Sequence, residues 1–294
     1  MNLGKPEISV IIPTWNSESF IERCIKSINS QSFPRKNFEL IIVDDGSTDN
    51  TIKLAHSSGA DLVVNSDHHS AGRARNIGIK HSKGKILAFI DSDCIAENGW
   101  LETISKELES STVICGPVSN GYPKSSVAWA EYLMEFSEFN LKKNRSSVRF
   151  AVGCNAAYLR DPLLSCDGFP EGRHFPEEVI LCYNLNSKGI KIQFIPELRV
   201  KHFGRKKLTK YLSIMELLGR RAVSLSKIAP TSYNWLFRSS WYIPLVFVLK
   251  IGARARFAIR AKMLAKFIIL SPLILLGATA FCKGVLNELG VQPK

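Results

Sequence analysis

The chain has 294 residues, 45% of them apolar and 22% charged, with a formal net charge of +13. So much apolar side chain excludes a disordered chain, and the length suits one large α/β domain or a domain with an appendage. The seven cysteines, Cys24, Cys94, Cys115, Cys154, Cys166, Cys182 and Cys282, are odd in number and show no C-x-x-C spacing. That argues against a disulfide framework or a zinc site and for a reducing compartment. Residues 1–7 are polar and the first apolar run ends at Pro13, so no secretory leader is predicted.

In chain order, Ile8-Ser9-Val10-Ile11-Ile12 reads as a first strand closed by Pro13, after which Ser17 is placed to cap a helix burying Phe20, Ile21, Cys24, Ile25 and Ile28. Leu40-Ile41-Ile42-Val43 is a second buried strand that runs into Asp44-Asp45-Gly46-Ser47-Thr48-Asp49. Ser47 or Thr48 is a candidate cap for a helix carrying Ile52, Leu54 and Ala55 and ending at Gly59. A short strand, Leu62-Val63-Val64, a helix through Ala71, Ala74, Arg75 and Gly78, and a strand from Lys85 to Ile90 follow, then a helix with Trp100, Leu101, Ile104 and Leu108. Strands and helices alternating at this rhythm predict β-α-β units and a mainly parallel sheet.

The strand before Asp91-Ser92-Asp93 is apolar throughout, as in a sheet covered on both faces, and its acids fall at the carboxyl end, where open α/β sheets bind ligands. Two carboxylates at this spacing suit Mg²⁺ or Mn²⁺ held against a diphosphate, because these hard cations take carboxylate and phosphate oxygens. A lone D-x-D could equally be a polar turn. No G-x-G-x-x-G or G-x-x-x-x-G-K-[ST] follows the first strand, where Pro13-Thr14-Trp15-Asn16 stands instead, so the usual glycine cradles for a diphosphate are lacking and a cation would take their place.

Ile8 to Asn16, Val43 to Asp49, Gly72-Arg73-Ala74-Arg75-Asn76-Ile77-Gly78 and Asp91-Ser92-Asp93 resemble, in order and spacing, the successive motifs of glycosyltransferase family 2. The resemblance covers roughly residues 7–205. It implies a GT-A, Rossmann-like α/β fold and inverting transfer of a sugar from a nucleotide diphosphate donor to an acceptor hydroxyl. By this resemblance Pro13, Thr14, Trp15 and Asn16 would line the base pocket, and Asp44 or Asp45 would accept from the base imide, uracil by preference. Arg75 would reach the base or diphosphate, Asp91 would lie near ribose and metal, and Asp93 would ligate the metal directly.

The second half would supply the acceptor side. Ser126 to Leu141 reads as an amphipathic helix with Trp129, Leu133 and Phe136 on one face, and Phe150 to Ala156 looks like the family's strand before its base motif, with Gly153 open to substrate. The family's Glu-Asp-x-x-Leu becomes Glu177-Glu178-Val179-Ile180-Leu181, so Glu178 stands where the general base is an aspartate, and Glu177 is the alternative. A helix N-terminus favours the ionised form that a base needs. His202, after the strand Ile190 to Pro196, resembles the late histidine that completes the metal site in such enzymes.

Composition shifts at about residue 208, giving a GT-A domain over 1–207 and a basic, hydrophobic helical region over 208–294. Sixteen Lys and Arg lie between Arg199 and Lys266 against one acid, Glu216, more than the net charge of the whole chain. With Trp235, Trp241 and the apolar runs Trp235 to Ile251 and Met263 to Val285, this predicts an anionic membrane surface as partner and no nucleic acid. Ser271-Pro272 would kink the second run. Two spans would put the basic linker on the wrong side of the membrane, so the expectation is a peripheral protein of the cytoplasmic face with at most one C-terminal span. The function expected is a metal-dependent glycosyltransferase acting on a lipid-linked or membrane-borne acceptor, with a nucleotidyltransferase or a non-catalytic membrane-bound partner as alternatives.

Overall fold

The structure, a computed structural model, describes residues 5–67, 70–172, 176–228 and 233–290. β1 (Ile8–Thr14) is followed by α1 (Ile21–Asn29), β2 (Phe38–Asp44) by α2 (Thr51–Ser57), and β3 (Leu62–Asn65) by α3 (Ala71–His81). β4 (Ile86–Ile90) leads through the short β5 (Cys94–Ala96) to α4 (Trp100–Glu107). β6 (Val113–Cys115) and β7 (Val118–Asn120) precede α5 (Ser126–Glu135), after which come β8 (Ser146–Val148), β9 (Asn155–Leu159), α6 (Arg160–Leu164), α7 (Glu177–Ser187), β10 (Ile192–Phe194) and β11 (Val200–His202). The rest is helical: α8 (Leu208–Ile228), α9 (Ile243–Arg260), α10 (Leu264–Ile269) and α11 (Ser271–Glu288).

These elements form two compact units. The first comprises the described residues up to Ser119, those of 144–173 and Glu177–His202. Its main sheet has the order β3-β2-β1-β4-β9-β6-β10-β8. β3, β2, β1 and β4 are parallel, as the alternation predicts, and the four strands share one carboxyl edge. Beyond β4 the sheet is mixed, because β9 runs antiparallel to both β4 and β6, and β8 antiparallel to β10. β5, β11 and β7 make a second, three-stranded sheet.

The core follows the apolar pattern. Every residue of β4 is buried, and α1 buries Ile21, Cys24, Ile25 and Ile28 at the helical spacing expected. Each fully buried aliphatic side chain contributes about 1.5–3 kcal/mol. α3 lies directly on β1, since a Cβ at Gly78 would run into the Ile11 side chain. Ser70 caps α3, its hydroxyl accepting from Arg73 N at 3.3 Å.

Several local expectations are corrected. Ser17 does not cap α1; its hydroxyl meets that of Ser92 at 2.8 Å. α2 starts at Thr51, later than a cap at Ser47 or Thr48 requires, and Asp49 Oδ1 accepts from Thr51 N at 3.0 Å. The strand expected over Phe150 to Ala156 begins only at Asn155, so Gly153 belongs to the loop that enters it. α5 stops at Glu135 and passes into a 3₁₀ turn, Ser137–Phe139.

The second unit holds Asn120–Lys143, Pro176 and the described residues from Phe203 onward. Its core gathers Leu133 of α5, Tyr211 and Met215 of α8, Ala258 of α9, and Ile274 and Ala278 of α11. Among the described residues no helix is long and apolar enough to cross a membrane. Ser271-Pro272 is a break and not a kink: α10 ends at Ile269, and Pro272 sits in the first turn of α11, where the N–H it lacks has no helical partner to lose.

Candidate active site

The carboxyl edge of the parallel strands carries the first part of the site. Thr14 and Asp44 end β1 and β2 as register partners. Asp44 is buried; its Oδ2 accepts from Ser47 N at 2.8 Å, which folds the Asp44-Asp45-Gly46-Ser47 turn back on itself. Its Oδ1 and the neighbouring Thr14 Oγ1 are buried without a hydrogen-bond partner among the described residues. Such orphaned polar atoms cost about 1–3 kcal/mol each unless something satisfies them. Asn16, at φ +47°, adopts the left-handed conformation that asparagine tolerates. There its N donates to Ser47 Oγ (2.8 Å) and its Oδ1 accepts from Thr48 N (2.9 Å), tying the two loops together. Asp45 is buried beside them, Pro13 is half-buried, and Trp15 stands exposed at the rim.

Arg75 of α3 is the centre of charge. It is 2% exposed, and its guanidinium takes three carboxylates: Asp91 Oδ1 on Nη2 at 3.0 Å, with Glu177 Oε1 at 3.1 Å and Glu178 Oε1 at 3.2 Å on Nη1. The Phe169 ring lies 5.3 Å from its Cζ. Burial alone would favour the neutral form, but Glu178, Asp91 and Glu177 outweigh it and push the Arg75 pKa up, so the cation is permanent. Asp91 moves up as well. A third of its side chain is exposed, yet burial at the strand end strips away water and is the largest effect; Arg75 pulls the other way, and Asp93 and Glu178 add like charge. Glu177 is buried, whereas Glu178, at the same helix start, keeps about a fifth of its side chain open to solvent.

Glu178 is held from the other side by Gly153. A Cβ there would lie 2.6 Å from Glu178 Cγ and 2.7 Å from Cδ, so the side chain occupies space that only glycine leaves. The antiparallel pairing Ile90↔Asn155 brings the loop before β9 to the end of β4, where Asp91 and Asp93 also are.

Asp93 meets His202 through the second sheet, whose register sets Cys94 opposite His202. His202 Nε2 is 3.4 Å from Asp93 Oδ2, and Asp93, Cys94 and His202 can bring their ligand atoms within 4.8 Å of one another. Two ligands of one cation at about 2.1 Å and near-octahedral angles lie roughly 3 Å apart, so the Asp93–His202 pair fits Mg²⁺ or Mn²⁺. Burial pushes the Cys94 thiol well above its ordinary range, so it stays protonated and is a poor ligand. One carboxylate and one imidazole leave positions for substrate oxygens and water.

The structure thus places Thr14, Asp44, Asp45, Asp91 and Asp93 on one sheet edge and joins Asp91 to Glu177 and Glu178 through Arg75. It turns the Arg75 guanidinium onto carboxylates, where the sequence pointed it at base or diphosphate. Asp91 is engaged by that cation and lies outside the Asp93–Cys94–His202 group. Sequence reasoning missed Cys94 and the seat that Gly153 makes; the only sequence signal for Cys94 is its position next to Asp93.

A mixed α/β sheet with helices on its faces and acids at the carboxyl ends of its parallel strands is the GT-A arrangement. The chain belongs to glycosyl transferase family 2, whose family model matches residues 9–165, more than half of the sequence. Glycosyltransferase AglE of Haloferax volcanii is 31% identical over 172 residues, which cover 56% of this chain and 56% of that one; the chain spans about half or less of several other curated relatives. Among solved structures, the mannosyltransferase PcManGT from Pyrobaculum calidifontis, in complex with GDP-Man and Mn²⁺, superposes with a TM-score of 0.66 at 18% identity, covering 98% of this chain and 89% of that one. Staphylococcus aureus TarS 1–349 in complex with UDP-GlcNAc gives 0.54 at 18% identity, covering 98% and 93%. At these identities the two structures establish the fold alone.

Proposed function

We propose that the protein transfers a sugar, with inversion, from a nucleoside diphosphate sugar to an acceptor hydroxyl, with Glu178 as general base. The observations that support this most directly are an unsatisfied buried carboxylate oxygen on Asp44 at the end of β2, the Asp93–His202 pair just past the end of β4, and a glutamate held between Gly153 and Arg75, which also holds Asp91. Asp44 Oδ1 accepts from the base of the donor; an ionised carboxylate only accepts, which suits the imide N–H of uracil, so a UDP-sugar is favoured. Asp44 shares this edge with Asp45 and the loop of Pro13, Thr14, Trp15 and Asn16. Asp93 and His202, with Asp91 nearby, would hold Mg²⁺ or Mn²⁺, which would supply positive charge to the leaving diphosphate. Glu178 takes the proton of the acceptor hydroxyl as its oxygen bonds to the anomeric carbon and the nucleoside diphosphate departs. Its partial exposure lets an acceptor reach it, whereas Glu177 is closed off beneath Arg75.

The acceptor is carried on a lipid or at a membrane surface, as in assembly of a surface polysaccharide or glycolipid. Supporting this is the second unit, where basic and apolar side chains dominate. Seven free, buried cysteines fit the cytoplasmic face.

The test is a panel of nucleotide sugars assayed for product. Nucleoside diphosphate release that Glu178→Gln lowers by roughly two to four orders of magnitude, with donor binding kept, is expected. Release of inorganic diphosphate would make the protein a nucleotidyltransferase, and no turnover with any donor would leave a binding partner that keeps the fold.

A further inference from the structure

Helices of a water-soluble protein turn their apolar stripe inward and their charges outward. In the second unit the helices after α8 also carry apolar stripes on the outside. α9 buries Val246 and Ala258, yet Leu245, Val248 and Leu249, one helical turn of the opposite face, are exposed. Phe267 of α10 and Leu270 just past its end are buried, while Ile268 and Ile269 between them are 62% and 76% exposed. α11 repeats the pattern, with Ile274 buried and Leu275 and Leu276 outside. Immediately before α9, Trp241 is 89% exposed.

The charge that the chain itself carries between Glu216 and Glu288 has one sign. No Asp or Glu occurs between Glu216 and Glu288, and Arg256, Arg260 and Lys262 are exposed at the end of α9. A second copy of the chain would bring like charges together, and a nucleic acid would leave the apolar stripes in water. Among the described residues no helix is fit to cross a membrane. An apolar stripe, an exposed indole and flanking cations fit the boundary between acyl chains and anionic headgroups, where a helix lies in the plane of one leaflet.

We infer that the outward stripes of α9, α10 and α11 are a docking surface for a single leaflet of an anionic bilayer. Leu245, Val248, Ile268 and Ile269 enter the acyl boundary, and Arg256, Arg260 and Lys262 meet lipid phosphates. This deepens the membrane-borne acceptor reading by naming the surface that meets the lipid, and does not depend on the sugar chemistry.

The experiment is co-sedimentation of the full chain with vesicles of phosphatidylcholine alone and of phosphatidylcholine with phosphatidylglycerol. Binding to the mixed vesicles, weak or none to the neutral ones, and a fall with added salt as the screening length shrinks are expected. Ile268→Glu with Ile269→Glu changes side chains already in solvent and should leave the melting temperature unchanged while abolishing binding. Arg256→Gln, Arg260→Gln and Lys262→Gln should each weaken it about fivefold. Wild-type affinity in these variants, or no vesicle binding by the wild type, overturns the inference. So does a dimer that Ile268→Glu and Ile269→Glu disperse while vesicles go unbound. Nucleoside diphosphate release with a water-soluble acceptor, assayed in parallel, should be unaffected by these variants. If the wild type binds vesicles but shows no such release, the glycosyltransfer reading falls and the surface stands.

Discussion

The Glu178 carboxylate fills the space into which a side chain at residue 153 would project, so Gly153 and Glu178 fit as one unit although 25 positions separate them. The atoms a Cβ would meet belong to the end of a flexible side chain, so a larger residue at 153 moves the carboxylate and not the backbone. Gly153→Ala is therefore expected to keep its melting temperature and donor affinity while turnover falls by about 100-fold, the scale of a misplacement near 1 Å. Adding Glu178→Asp, one methylene shorter, should restore part of that loss. Wild-type turnover in Gly153→Ala would remove the fit from the mechanism.

Arg75→Met leaves Asp91, Glu177 and Glu178 facing each other without a cation. Removing one partner from a buried ion cluster costs about 3–5 kcal/mol, to be read by urea denaturation. The sign of the pH dependence follows from Asp91, whose folded pKa lies above its ordinary 3.8. Its contribution to stability is full below that pH and lost as the pH rises through the folded value. Without Arg75 the loss on going from pH 4 to pH 7 should be larger; equal slopes in the two proteins would contradict the role given to Arg75.

The Asp93–His202 pair predicts a measurable cation site. Asp93→Asn and His202→Ala should each weaken Mn²⁺ binding, followed by calorimetry, by at least the roughly 10–100-fold typical of changes around a metal site. Cys94→Ser should change it little, because the thiol is protonated. Chelation should stop wild-type turnover, and full activity in excess chelator would falsify metal dependence.

Lys250 of α9 offers a test in the second unit. Its Nζ lies 4.2 Å from the Phe281 ring centre, and burial with Arg254 nearby pulls its pKa down to about 7, against a smaller opposing pull from Glu135 and Cys282. The unfolded chain binds this proton up to about pH 10.5, so the stability contributed by Lys250 is full above that pH and lost as the pH falls through about 7. Lys250→Met should raise the melting temperature at pH 7 by a few degrees, corresponding to about 1 kcal/mol or more. It should also flatten the rise in stability between pH 7 and 10; a lower melting temperature would show that the ammonium is stabilising where it sits.

The sequence by itself determined the parallel half of the fold and the acid-bearing edge. Buried strands announce themselves by unbroken apolar runs, and right-handed β-α-β connections put their ends on one edge. Thus Asp44, Asp91 and Asp93 could be placed from local pattern alone. Only the tertiary structure decided what those acids face. The antiparallel insertion of β9 beside β4 pairs residues 65 to 73 positions apart, and no local periodicity encodes that pairing, which brings Gly153 to the site. Arg75 could be placed on its helix and, by resemblance, near the donor, but nothing local shows that Asp91, 16 positions on, and Glu177, 102 positions on, close around it. The capping side chains went the same way: Ser17 and Ser47 suit helix starts, but Ser92 and Asn16 engage them across the fold. The C-terminal apolar runs were long enough to leave a span open. Tertiary packing divided the second run at Pro272 and turned part of each helix outward, because a helix shows its apolar residues to whichever neighbour it has, and the sequence does not say on which side that neighbour lies.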